Sequence, residues 1–134
     1  MNRKRLIRFV LLPLAAGTLC YLFSGNNSLS LFPLKETAFF RFITQHLPDA
    51  LWNFSLVSLL LLTWKNEISF YSLPFILYGL FSGCMVEFAQ LHGWIHGTYD
   101  PLDIFVSLAA AAFALLLMKP AVNFRSQKTS MKKT

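Results

Sequence analysis

Charge is scarce in this chain. Lys, Arg, Asp and Glu make up 13% of its 134 residues, about half of the roughly 25% usual in soluble domains. Six residues are acidic, against 14 phenylalanines. A soluble domain of this size could not bury so much apolar surface, which excludes an ordinary soluble enzyme. A disordered chain is excluded as well, because disorder needs low hydrophobicity and high charge. Cysteine is scarce too. Cys20 and Cys84 lack CxxC spacing and lie inside apolar runs, so no disulfide scaffold is expected and both read as small buried hydrophobes. Between Arg8 and Lys119 the basic residues are Lys35, Arg41 and Lys65. Such a sparse middle excludes a nucleic-acid binder, which interleaves basic and aromatic residues on one face. There is no Ser-His-Asp or Cys-His arrangement and no phosphate-cradling glycine loop, so the enzyme reading has little support.

Long apolar runs are present instead. The chain is 55% hydrophobic, and the runs predict an all-α fold, a four-helix transmembrane bundle. Helices are expected over about 6–23, 48–64, 69–91 and 101–118. The basic start before the first run is also a feature of signal peptides. Without a small-residue cleavage motif, and with Leu19 before Cys20, the run reads as a retained helix. Between helices 1 and 2, Pro33 to Ile43 mixes aromatics with charges, as an interfacial helix would; an ordinary loop fits equally. Pro48 and Asp49 suit a helix start. Trp52 and Trp64 bracket the second run as an aromatic belt does. Residues 1–120 form the membrane domain, and 121–134 are a basic, disordered cytoplasmic tail.

Basic residues set the orientation. With both termini cytoplasmic, Lys35 and Arg41 are outside and the other ten basic residues are inside. The expected location is the bacterial inner (cytoplasmic) membrane, multi-pass, N-in and C-in.

With so few charges, their positions are informative. Glu87 lies about one turn inside the end of helix 3, where an ionised carboxylate needs a partner, a proton or a wet cavity. Gln90 shares its face. Gly79 and Gly83 form a GxxxG on that face, a spacing that lets helices approach closely. Helix 4 offers Asp103, Ser107, Ala110, Ala111 and Ala114 at matching spacing. The expected register sets Glu87 against Asp103 and Ser107, and Gly83 and Gly79 against the alanines. Asp100-Pro101-Leu102-Asp103 also reads as an N-cap, Pro at N1 and an acid at N3. The candidate ligand-binding residues are therefore Glu87, Gln90, Asp100, Asp103 and Ser107. His92 and His96 are four apart, a spacing that binds metal on a helix. Loop histidines near headgroups are the plainer reading, so no metal or other cofactor is expected.

Glu87-x-x-Gln90, Gly97-Thr98-x-Asp100-x-x-Asp103 and the small-residue helix that follows resemble the C-terminal half of the VanZ-like family of small bacterial membrane proteins. The resemblance covers Glu87 to Ala114. The chain departs from the family pattern at His96-Gly97-Thr98, at Ser107, at Ala110 and over Leu47 to Trp52. The resemblance implies a cell-envelope role and a link to glycopeptide antibiotic resistance. The function expected on this basis is an outward-facing acidic pocket. It would bind an envelope component such as a lipid headgroup, a lipid-linked wall precursor or a cationic amphiphile. Two alternatives remain. One is an accessory subunit whose acidic cluster pairs with a basic residue of a membrane protein partner. The other is a metal-dependent membrane hydrolase.

Overall fold

The computed structural model describes residues 3–25 and 38–123. They are mostly helical. Helix α1 is a continuous stretch made of Arg3–Leu6, a π-helical turn Ile7–Leu11 and Leu12–Gly25. Helix α2 is Ala38–Thr63, α3 is Leu73–Leu91 and α4 is Pro101–Met118. Two strands of two residues each, β1 (Glu67–Ile68) and β2 (Ala121–Val122), pair in parallel.

The helix ends follow local chemistry. The π-turn precedes Pro13, which has no N–H to donate and whose ring crowds the carbonyl four residues back. The turn widens accordingly, and the Leu12 N–H bonds the Ile7 carbonyl. Helix α4 opens as its sequence predicts: the Asp100 carboxylate accepts the Leu102 N–H at 2.9 Å, and Pro101 follows at the first helical position. It closes on Lys119 in the left-handed conformation, φ 45°, with Pro120 next. Helix α3 begins at Leu73, four residues later than expected. Ser69 to Ser72 fold into a turn in which the Ser72 hydroxyl accepts the Ser69 N–H at 2.8 Å and donates to the Glu67 carbonyl at 3.1 Å.

The largest departure is α2. The sequence suggested an interfacial segment from Pro33 and a separate short helix from Pro48. Residues 38–43 are instead the first turns of one 26-residue helix, which continues through Pro48. Residues 33–37 of the suggested segment lie outside the described residues, as do 124–134 of the expected tail. Proline is tolerated inside such a helix where neighbouring helices surround it, and Pro48 is buried.

Helix α2 is the central element, packed against α1, α3 and α4. The core is small: Val10, Phe54, Val57, Leu61, Leu62, Ile76, Ala111, Ala114 and Met118. Buried polar residues stand beside it, among them His46, Asn53, Ser55, Ser58, Glu87 and Ser107. Large apolar residues line the outside instead, including Tyr78, Phe81, Met85, Phe88, Phe105, Phe113 and Leu116. A soluble monomer does not expose apolar surface on this scale. Three helical stretches, Arg3–Leu22, Leu73–Leu91 and Pro101–Met118, are long and apolar enough to cross a membrane. They surround α2, the helix with the most buried polar side chains. A helix screened by its neighbours can carry polar groups that a lipid-facing helix cannot.

At one end the α2–α3 turn is clasped to the end of α4. Lys65 and Asn66 both have positive φ, 55° and 62°. The Asn66 side-chain nitrogen donates to the Met118 carbonyl at 2.6 Å, and the Asn66 backbone carbonyl accepts the Ala121 N–H at 3.0 Å. This satisfies a carbonyl that the last turn of α4 leaves open.

Candidate functional site: an acidic cluster at one end of the helices

The opposite end carries the acidic residues. Glu87 sits one turn before the end of α3 and is 5% exposed. Its Oε2 accepts the Asp100 N–H at 2.8 Å, so the carboxylate holds the residue that caps α4. With its amide nitrogen turned toward Glu87, Gln90 donates to both carboxylate oxygens, at 3.2 and 3.3 Å, and to the Thr98 carbonyl at 3.2 Å. Gln90 lies against Gly97, where φ is 144° and a Cβ would collide with the Gln90 amide. That backbone conformation and that contact both require glycine.

Asp103 does not pair with Glu87. Its carboxyl group shares a hydrogen bond with His46 Nδ1 at 2.5 Å. When that carboxyl is ionised it can only accept, and Nδ1 is then the donor. The His46 ring is 5% exposed and packs on Phe42, with ring centroids 4.7 Å apart. One turn along α2, Asp49 is half-buried and within electrostatic reach of Asp103, Glu87 and His46. Deeper on the same helix, Asn53 donates to the Ser107 carbonyl at 2.9 Å and accepts the Ser82 hydroxyl at 3.0 Å. Asn53 thereby links α2, α3 and α4 through one buried amide.

Of the sequence candidates, the structure brings Glu87, Gln90 and Asp100 into one hydrogen-bonded set. Asp103 joins that set's edge through its own N–H, which donates to the Asp100 carbonyl at 3.1 Å, and its carboxyl group turns to His46. Ser107 lies deeper, its side chain buried against Gly83, where a Cβ would stand 2.5 Å from the Ser107 Cβ. The expected register of the small residues needs correction. Gly79 does not face the alanines of α4; its open side meets Leu60 and Val57 of α2. Ala111 and Ala114 join Val57, Leu61 and Ile76 in the core, and Ala110 packs at its edge. The reason is α2: it fills the space that a direct glycine–alanine contact would have needed.

His92 and His96 do not share a helical face. Helix α3 ends at Leu91, and Gly93 has φ 68°. Both histidines are exposed, and the His92 ring stacks between Phe88 and Trp94, at centroid distances of 4.1 and 5.3 Å. Among the described residues, the donors close enough to share a metal ion are His46, Asp100 and Asp103, whose ligand atoms lie within 4.8 Å of one another.

Sequence reasoning missed His46 and Asn53 and read Asp49 only as a helix start. A signal was present. Residues 46, 49 and 53 are spaced as i, i+3 and i+7, one face of a helix, with 49 and 53 inside the expected second span and His46 just before it. Comparison with known proteins gives no match to a family model, to a curated protein or to a solved structure.

Proposed function

We propose that this chain is a four-helix, multi-pass membrane protein with both termini cytoplasmic, and that its anionic cluster binds an envelope component through a cationic group. The observation that carries this reading is the gathering of four carboxyl groups at one end of the helices: Asp100 and Asp103 beside His46, Glu87 on the Asp100 N–H and almost wholly buried, and Asp49 within electrostatic reach of Asp103, Glu87 and His46. A partly buried cluster of carboxyl groups is costly to ionise unless a counter-charge occupies it. Three apolar membrane-length helices support the membrane setting. The orientation is supported by two basic residues, Lys65 and Lys119, at the clasped end, with the acidic cluster at the other. The envelope setting and any part in glycopeptide tolerance rest on the resemblance of Glu87 to Ala114 to VanZ-like proteins. The ligand chemistry rests on the charge of the cluster.

The test compares wild type with Glu87→Gln. Glutamine keeps an acceptor for the Asp100 N–H and removes the charge. Native mass spectrometry of the detergent-extracted protein should show an envelope lipid retained by wild type and lost, at least tenfold, by Glu87→Gln at equal thermal stability. Equal retention by both would sink the reading. In parallel, growth under graded lipoglycopeptide stress should depend on Glu87 at matched membrane levels.

A further inference from the structure

We infer that His46, Asp100 and Asp103 form a binding site for a divalent transition-metal ion, with zinc as the best-matched member of the class. This builds on the proposed function only in placing the working site at the same end of the helices.

Three observations carry it. The first is the donor set. One nitrogen and two carboxylates come from the first turns of α4 and from α2, and all three ligand atoms lie within 4.8 Å. Two metal–ligand bonds of about 2.1 Å span ~4.2 Å, so small side-chain shifts close the site. The second is His46 itself. It is not part of an acidic surface patch. It is a buried imidazole whose Nδ1 is directed at a carboxylate, and a metal ion at that point would replace the shared proton. Imidazole with carboxylates selects borderline ions such as zinc over magnesium or calcium, which prefer oxygen alone. The third is charge. Asp49 and Glu87 stand around the triad, and the cationic group the described residues offer there is the His46 ring. A protonated imidazole supplies one positive charge; a divalent ion supplies two while leaving the imidazole neutral.

The supporting contacts fit a ligand role. Asp100 uses Oδ1 to cap α4, and its backbone N–H is held by Glu87, which fixes its position. Phe42 packs against the His46 ring and limits its rotation. Outer contacts of this kind orient the ligands of metal sites.

The experiment uses the full chain in detergent, stripped with chelator and then dialysed against zinc chloride. Wild type should retain one zinc per chain by elemental analysis. His46→Ala and Asp103→Asn should each weaken binding at least tenfold, while His92→Ala and His96→Ala bind as wild type. Cobalt substitution should give a ligand-field spectrum that is lost in Asp103→Asn, the variant closest in shape to the native side chain and so the safeguard against misfolding. No zinc in wild type, or full binding by the folded Asp103→Asn protein, overturns the site. Lipid retention, measured on the same samples with and without chelator, separates the two ideas. Glu87-dependent retention without any zinc uptake removes the metal site and leaves the proposed function. Zinc uptake without Glu87-dependent retention does the reverse.

Discussion

Two glycines with the same GxxxG spacing do different work. A Cβ at Gly83 would press on the Ser107 Cβ, an atom fixed to the backbone of α4; at Gly79 it would meet the tip of the Leu60 side chain at 2.8 Å, which can rotate away. Gly83→Ala is therefore expected to cost about 1–3 kcal/mol, the range for overpacking, and Gly79→Ala less. Thermal unfolding in detergent will rank them, and the opposite order would refute this account of the α3–α4 contact. Glu87 makes a similar distinction. Glu87→Leu leaves the half-buried Asp100 N–H without its acceptor, a loss of about 1 kcal/mol. Glu87→Gln keeps an acceptor and should unfold near the wild-type temperature. At this scale the sequence singled out Glu87, Gln90 and Asp100, which lie close together in the chain, but it set Glu87 against Asp103 and Ser107 where the structure sets it on the Asp100 N–H. The spacing of 46, 49 and 53 marks a polar helix face but not the partner of His46, because Asp103 is 57 residues away.

At the scale of elements, α4 was legible to the residue, since Asp100-Pro101 and Lys119-Pro120 are start and stop signals that act locally. Helix α2 was not. Its proline marked a start in the sequence, yet the helix passes through it, because packing against three other helices outweighs one lost backbone bond. The clasp at the end of α2 was equally hidden. Asn66 combines a positive φ with a side-chain bond to the Met118 carbonyl. Asn66→Gly keeps the backbone freedom and loses the bond, so it should cost about 1 kcal/mol. Asn66→Ala loses both and should cost more. Hydrogen exchange at the last turn of α4 should rise in both variants, and unchanged protection would show that the clasp is not what holds that end.

For the whole molecule, the arrangement predicts a sidedness. In a chain with Cys20 and Cys84 replaced by serine, a single cysteine at exposed Thr98 should react with a membrane-impermeant thiol reagent added to intact cells. A single cysteine at Lys65, on the clasped end, should react only after the cells are opened. The reverse pattern would invert the proposed topology. By itself the sequence determined that the chain is helical and apolar on its outside, and where the last helix begins and ends. Those properties follow from composition, hydrophobic runs and capping residues, which act over a few positions. Only the tertiary structure decided that α2 is the central helix and that its His46 meets Asp103. The physical reason is that a buried polar group is stabilised by whichever partner packing brings within hydrogen-bond distance, and a helix can bring that partner from anywhere in the chain.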